Sequence, residues 1–210
     1  MLLKSYLITV LMAACLVVKG QTDYFDGSKS TLVLKPSLNS STIQIKSPGV
    51  EGQSPTQRIG YGLGLEYWQK LSKSFFLSGG LHFNSFGYKN ARTSYLNTPF
   101  LLNYNTKNDK FTFGGGVYAG MALSGKYKSL TTGWEKLKLG ESSTDNRSRI
   151  DFGVALNARF DVWLLSFLNF NYYLGIKDLT PKERQSSTEP TRKMAALSVS
   201  FALPVSELIK

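Results

Sequence analysis

The sequence has few of the residues on which metal sites and disulfides depend. Its 210 residues contain one cysteine and one histidine, which excludes a disulfide framework, a cysteine-based zinc site and a pair of histidine ligands. Charged residues are also scarce, at 19%. After the first 20 residues no apolar run approaches the roughly 20 residues of a transmembrane helix. We therefore expect no cofactor, no metal and no membrane-spanning helix in the mature chain.

Apolar residues and glycine, by contrast, are abundant. Hydrophobic residues make up 42% of the chain and aromatic residues 13%, with 19 glycines, a composition that excludes a disordered chain and favours β structure. The length predicts one domain or at most a small pair. The formal net charge is +11, but the cations are split among several segments and mixed with acids. No nucleic-acid partner is therefore expected.

The N-terminal residues have the features of a secretory signal peptide. Lys4 gives a positive start, residues 6–18 are an almost unbroken apolar run, and small or short residues precede Gln21. We predict a signal peptide over residues 1–20 and a single domain over residues 21–210. A buried N-terminal helix is the alternative.

Cys15 leaves a second alternative open. It ends the sequence Met12-Ala13-Ala14-Cys15, which resembles a lipoprotein cleavage site, but the residues that follow it are apolar. Whether Cys15 is ever lipidated is not decided by the sequence. Removal of residues 1–20 would leave no cysteine in the mature chain, which suits an oxidising compartment.

Apolar residues recur at every second position beyond residue 31, which is the period of a β-strand. In the second such run, Ile59, Tyr61 and Leu63 alternate with glycines. About eight runs are present, of which the first and fourth are weaker. They cover residues 31–41, 58–67, 75–84, 95–105, 111–124, 150–161, 168–176 and 194–203.

The connections between these runs alternate in length. Tight turns are predicted at residues 71–74, 105–109 and 163–166, and longer polar loops at residues 42–57, 89–94, 126–147 and 178–190. Short turns at one end and long loops at the other are typical of a transmembrane β-barrel, with the long loops outside the cell.

The bulk of the side chains indicates which face of each strand points outward. An eight-stranded barrel has interior room only for packed side chains, and here the polar face is rich in Gly, Ala, Ser and Asn while the apolar face carries Phe, Leu, Ile and Tyr. We therefore predict an all-β fold, an eight-stranded antiparallel up-and-down transmembrane β-barrel in the outer membrane. An aromatic girdle is predicted at the short-turn end, formed by Tyr67, Trp68, Phe75, Tyr104, Phe111, Trp163 and Phe167.

Several strand sequences resemble one family, the PorT-type outer-membrane β-barrel proteins common in Bacteroidetes. The matching patterns include Gly62-x-Gly64-x-Glu66-Tyr67, then Pro99 and Tyr104 in a Leu-x-x-Pro-x-x-x-x-Tyr strand, and Tyr172-Tyr173-Leu174-Gly175. The resemblance covers nearly all of the mature chain, but the patterns are diffuse. It implies a Gram-negative source, an outer-membrane barrel and, in some relatives, a part in protein secretion or assembly.

Charged residues on the polar face are predicted to form a network inside the barrel. A charge enclosed there must be paired or hydrated, since leaving it unpaired costs several kcal/mol. Glu66 and Arg159 are the expected central pair, and eight strands are too few for a conducting pore. The predicted lumen network consists of Lys35, Arg58, Glu66, His82, Asp151, Arg159 and Asp161.

Catalysis is the alternative interpretation of His82. With Ser78 or Ser85 and Glu66 it has the residue types of a hydrolase triad, and some small outer-membrane barrels modify lipid A. Such a triad needs its members within hydrogen-bond reach, and a lumen position offers no obvious access for a lipid. The glycine-rich runs precede no helix, so they indicate bends in the barrel wall rather than a phosphate loop.

The loop at residues 126–147 is the predicted contact surface. Its basic side chains are suited to lipopolysaccharide phosphates and its tryptophan to a protein partner, although a merely solvated loop is the plainer interpretation. The residues are Lys126, Lys128, Trp134, Lys136 and Lys138. The sequence thus predicts a non-enzymatic outer-membrane protein with a structural, interaction or assembly role, whose partners are outer-membrane lipid, lipopolysaccharide and a protein at the extracellular loops. A lipid-modifying enzyme and a soluble, lipocalin-like barrel for a small apolar ligand are the alternatives.

Overall fold

The computed structural model describes residues 30–46, 57–88, 90–106, 110–129, 131–163, 166–185 and 190–205. The predicted signal peptide and Cys15 lie outside these residues. No helix within the described ranges is long and apolar enough to cross a membrane.

The described residues are almost entirely β structure. A short 3₁₀ helix, Lys182–Arg184, lies between the last two strands. The strands are β1 (Ser30–Lys46), β2 (Arg58–Lys70), β3 (Phe75–Tyr88), β4 (Ala91–Asn105), β5 (Phe111–Ser129), β6 (Gly133–Lys136), β7 (Ile150–Trp163), β8 (Ser166–Gly175) and β9 (Thr191–Pro204).

Eight of these strands form a closed antiparallel barrel. The order around the ring is β1-β2-β3-β4-β5-β7-β8-β9, and pairing of β9 with β1 closes it. The short strand β6 pairs with the far end of β5. Closure leaves no open sheet edge in the ring, as a lipid environment requires of a β structure. The predicted eight-stranded up-and-down barrel is confirmed.

The two faces of the wall differ as the sequence predicts. Large apolar side chains lie on the outside, where Ile59 is 78% exposed and Leu156 is 56% exposed. Side chains at the intervening positions, such as Asn39 and Ser198, are buried in the lumen. A soluble lipocalin-like barrel would have the opposite arrangement, so the burial pattern favours contact with lipid.

Most of the strands are longer than the sequence suggests, and the predicted loops shrink accordingly. Strand β1 extends to Lys46, and β4 begins at Ala91, so most of the predicted loop at 89–94 belongs to β4. Strand β5 continues to Ser129, and β6 lies within the predicted loop at 126–147. These ends carry polar side chains but are held by backbone pairing to neighbouring strands beyond the apolar belt.

The lumen also holds larger side chains than expected. Trp68 and Phe167, predicted for the aromatic girdle, are each 2% exposed and point inward. The girdle positions Tyr67, Phe75, Tyr104 and Phe111 are exposed as predicted, and the side chain of Trp163 lies outside the described part. Further large rings in the lumen belong to Phe76, Phe86, Tyr95, Tyr118 and Tyr173.

Glycines on the lumen face leave space for larger polar side chains on the neighbouring strands. Gly64 is paired with His82 across β2 and β3, and a Cβ added at Gly64 would lie 2.9 Å from the His82 ring. Gly114 faces Asn103 and Gly120 faces Asn97 in the same way. A glycine on one strand thus accommodates a large side chain on the next.

Replacing Gly64 by alanine should therefore destabilise the barrel. We expect a loss of about 1–3 kcal/mol in the free energy of unfolding, because the added methyl group forces the His82 ring to move. Gly115→Ala is the control, since its Cβ would meet Leu156 at an ordinary contact distance of 3.6 Å. The stability of both variants is measured by urea unfolding in detergent micelles. Equal unfolding midpoints for Gly64→Ala and Gly115→Ala would contradict a role of Gly64 in making room for the His82 ring.

Candidate functional site

Glu66 is the centre of the polar layer in the barrel lumen. Its Oε1 lies 2.9 Å from Lys35 Nζ and 2.8 Å from His82 Nε2, and its Oε2 accepts a 2.7 Å hydrogen bond from Trp68 Nε1. All four side chains are buried. The expected pairing of Glu66 with Arg159 is therefore replaced by a pair with Lys35, which the register places on the adjacent strand.

Arg159 lies nearer the tight-turn end of the barrel, enclosed by aromatic rings. Its guanidinium carbon is 4.3 Å from the ring centroid of Phe167, 4.7 Å from that of Trp68 and 5.2 Å from that of Phe76. It also donates a hydrogen bond of 3.3 Å to Asn105 Oδ1. Cation–π contacts of this kind stabilise a desolvated cation. Together, Arg159 and the three rings fill this end of the lumen.

Hydrogen bonds among asparagines and serine, and one between a tyrosine and an aspartate, link further side chains in the lumen. Asn157 Nδ2 donates to Asn171 Oδ1 at 2.8 Å, and Asn103 Nδ2 donates to Ser78 Oγ at 2.9 Å. Asp151 accepts a 3.0 Å hydrogen bond from the Tyr118 hydroxyl. These contacts hold the strands together from inside and leave the lumen packed with side chains.

Two long loops close the mouth of the barrel at the end opposite the tight turns. Leu179, in the loop after β8, is completely buried in an apolar cluster that includes Tyr95 and Tyr173. Its carbonyl accepts a 2.8 Å hydrogen bond from the Ser148 N–H. Glu141 joins the loops, because its carboxylate accepts from Ser148 Oγ, from Lys177 Nζ at 3.2 Å and from the Lys182 N–H at 3.0 Å. The described loops thus form a latch across the opening.

The latch should be sensitive to acid. Burial tends to raise the pKa of Glu141, but the hydrogen bonds from Ser148, Lys182 and Lys177 outweigh it and hold this pKa below its usual value. A depressed carboxyl pKa stabilises the latch above the unfolded pKa, and the contribution is lost as pH falls through the folded pKa. The protection of the Lys182 and Glu183 amides against hydrogen exchange, measured relative to the intrinsic rate at each pH, should therefore fall as the pH drops below the usual glutamate range.

Glu141→Gln is the control for this prediction. It removes the titrating group, so exchange at the two amides should be faster at neutral pH and should lose its acid-dependent step. An acid step of unchanged size in the variant would place the titrating group elsewhere.

The five predicted contact residues are exposed at the end of the barrel that carries the long loops, and four of them lie on strands rather than in a loop. Lys126 and Lys128 belong to β5, and Trp134 and Lys136 belong to β6. Lys138 follows β6 and is also exposed. Arg92 of β4 joins them, since its guanidinium carbon lies 4.6 Å from the Trp134 ring centroid. The sequence did not single out Arg92, because it falls in a different predicted loop, and only the pairing of β4 with β5 brings it beside Lys126.

The other predicted lumen residues do not all reach the interior. Asp151 is fully buried, Arg58 is half-buried at the start of β2, and Asp161 is exposed near the end of β7. Although Asp161 continues the inward alternation, it lies beside a register irregularity at the edge of the barrel. An inward position in the alternation therefore does not by itself bury a side chain at the end of a strand.

The hydrolase alternative has no support in the positions of its residues. His82 is 5% exposed and faces Glu66 inside the wall, while the Ser78 hydroxyl accepts a hydrogen bond from Asn103. Within the described ranges, no group of three His, Cys, Asp or Glu side chains is placed to hold a metal ion.

A closed barrel with an apolar outer belt and a filled lumen defines a membrane β-barrel protein of the outer-membrane class. Residues 28–180 match the family model described as outer membrane protein beta-barrel domain. The chain belongs to this family, which places it in the outer membrane. No curated protein matches the chain.

Solved structures of small outer-membrane barrels resemble the chain. The attachment invasion locus protein Ail of Yersinia pestis has 12% sequence identity and a TM-score of 0.44, over 81% of this chain and 96% of that one. Ail in complex with the heparin analogue sucrose octasulfate has 12% sequence identity and a TM-score of 0.46, over 82% of this chain and 97% of that one. Neisserial surface protein A has 8% sequence identity and a TM-score of 0.44, over 81% of this chain and 96% of that one.

Proposed function

We propose that this protein is a non-enzymatic outer-membrane anchor that acts through its extracellular surface rather than through its lumen. The observation that carries this proposal is the contrast between the two regions. The lumen is filled by side chains from the Arg159 cage to Leu179, whereas the strands that extend beyond the apolar belt expose cations and a tryptophan. An exposed aromatic beside cations is suited to recognition.

The lumen network has a structural part in this proposal. Lys35, Glu66 and His82 link β1, β2 and β3 from inside, and their burial prevents contact with a substrate. A conducting pore needs a wider barrel. The strand patterns shared with PorT-type barrels favour membership of that group, and with it an interaction or assembly role in the envelope.

The orientation of the surface is tested by labelling cysteine variants in intact cells. Trp134→Cys lies on the extracellular hairpin and Lys73→Cys in the tight turn at the opposite end, and both positions are exposed. A membrane-impermeant maleimide should label the first variant and not the second. Labelling of Lys73→Cys alone would reverse the topology and remove the proposal.

The closed lumen is tested separately by electrical recording. The purified protein in planar bilayers should give no conductance steps, while a 16-stranded porin in the same bilayer gives large ones. Stable channels formed by the wild-type protein would assign the function to the lumen instead.

A further inference from the structure

Strands β4, β5 and β6 continue as a three-stranded sheet beyond the apolar belt. Arg92 of β4 is directly opposite Lys126 of β5, and Lys126 is directly opposite Lys136 of β6. Residues that face each other across antiparallel strands project on the same side of the sheet. Three cations therefore stand side by side across three strands, and all three are exposed. We call Arg92, Lys126 and Lys136 the cation row.

A β-bulge places this row on the outer side. The register of β5 against β4 shifts so that Tyr95 faces Ala122 and Ser94 faces Ser124, which leaves Leu123 as the additional residue. Before the shift the odd-numbered residues of β5 point to lipid, and after it the even-numbered ones point outward. Without the bulge Lys126 would point inward.

The cation row is not neutralised by the protein. Among the described residues, none of its members forms an ion pair. Glu135, the acid nearest along β6, lies on the opposite side of the hairpin and accepts hydrogen bonds from Tyr127 and Thr132. Like charges directly opposite each other destabilise the sheet. Binding of an anion that bridges them relieves this repulsion and is therefore favourable.

The next positions extend the same surface. Lys128 is directly opposite Trp134, and the Arg92 guanidinium lies over the Trp134 ring. This contact restrains the arginine side chain before any ligand arrives. The surface thus combines cations at fixed cross-strand spacing with an exposed aromatic ring.

The height of the row indicates what meets it. Met121 and Leu123 on the same outer side are apolar and 42% and 46% exposed, so they mark the top of the apolar belt. Lys126 lies three residues further along β5, which is roughly 10 Å at strand rise. Lipid headgroups begin directly above the hydrocarbon, so the row stands at headgroup level and faces the outer leaflet.

We propose that the cation row binds the phosphate groups of a phosphorylated outer-leaflet lipid, the lipid A part of lipopolysaccharide. This proposal rests on the proposed function, because it names the ligand of the same extracellular surface. Charge complementarity and headgroup height favour a membrane lipid over a protein partner. Arginine and lysine are suited to phosphate oxygens, arginine as a bidentate donor.

Binding is tested with the full mature chain in non-ionic detergent. The probes are lipid A carrying both phosphates, the same lipid A with its phosphates removed, inorganic phosphate, and poly-glutamate as an acidic peptide. The variant Arg92→Gln/Lys126→Gln/Lys136→Gln removes the row. The control Lys46→Gln/Lys73→Gln/Lys110→Gln removes three exposed cations elsewhere, so the net charge of the two variants is the same.

Lipid A should bind the wild-type protein and the control alike, and the row variant should bind it on the order of 100-fold more weakly. Removal of the lipid phosphates should have a similar effect. Binding should weaken with added salt, and it should change the tryptophan fluorescence of the wild-type protein but not of Trp134→Phe.

Three results would overturn the lipid assignment. They are equal binding of phosphorylated and dephosphorylated lipid A, unchanged binding by the row variant, and inorganic phosphate binding as tightly as lipid A. Poly-glutamate binding without lipid A binding would also overturn it, and would assign the surface to a protein partner. That last result would leave the proposed function intact, whereas conductance steps or reversed labelling would remove the proposed function itself.

Discussion

Replacing Glu66 by alanine should lower the free energy of unfolding by about 3–5 kcal/mol. The carboxylate is the ion-pair partner of Lys35, which is 1% exposed, and it also accepts the Trp68 indole hydrogen. Removing it leaves an ammonium group and an indole N–H buried without their acceptor. Breaking one side of a buried pair costs more than the pair itself contributes.

The double variant Lys35→Met/Glu66→Leu separates the two contributions. It removes both charges and keeps apolar bulk in the lumen, so its unfolding midpoint should lie much nearer to that of the wild-type protein. The measurement is the urea concentration at which the unheated band on a gel shifts to the position of the boiled protein. If Glu66→Ala and the double variant unfold together, the loss comes from packing and the interpretation of the ion pair is wrong.

A second large effect is expected on the outer face. Leu156→Arg should cost about 2–4 kcal/mol for protein folded in phospholipid vesicles, because this depth-dependent penalty is greatest at the bilayer midplane. Leu156 lies near the middle of β7, 56% exposed, between Gly115 and Tyr172 on the neighbouring strands. An arginine there is placed in hydrocarbon, whereas in water it would be easily solvated.

Ile59→Arg is the matched control. Ile59 is 78% exposed on the same outer face but lies at the extracellular beginning of β2, where the expected cost is about 0–1 kcal/mol. A depth-dependent difference between the two variants is the signature of a membrane-spanning wall. Equal and small costs would instead indicate that water covers the whole outer face, as in a soluble barrel.

The strand periodicity in the sequence was sufficient to predict the barrel and its inside-out sense. In β2 the alternation of Tyr61 and Leu63 with glycines is a local pattern. In a closed sheet surrounded by lipid, the bulky apolar side chains of such a pattern face the lipid and the glycines face the lumen. The tight turn after Lys70 followed from local polar residues. Glu66 and His82 were also predicted to be inside for this reason.

Pairing within the lumen could not be derived in the same way. Glu66 contacts Lys35, which is 31 residues away in the chain, and which of several inward charges meet depends on the stagger of all the strands. Trp68 and Phe167 were misplaced because bulk alone suggested the outside, whereas small residues on the neighbouring strands leave space for these rings inside, with Ser78 opposite Trp68 and Ala202 opposite Phe167.

The sequence by itself determined the class of this protein, since a period of two with bulky apolar residues on one face and small polar residues on the other fits a narrow barrel whose bulky face meets lipid. The tertiary structure decided which polar groups meet and where the extracellular cations point. The extra residue Leu123 reverses the direction of every later side chain in β5, and only pairing with β4 shows where that reversal occurs. The same is true of the latch, in which Glu141 joins Lys177 and Lys182. Non-local register, which a single sequence does not display, is the physical reason for both.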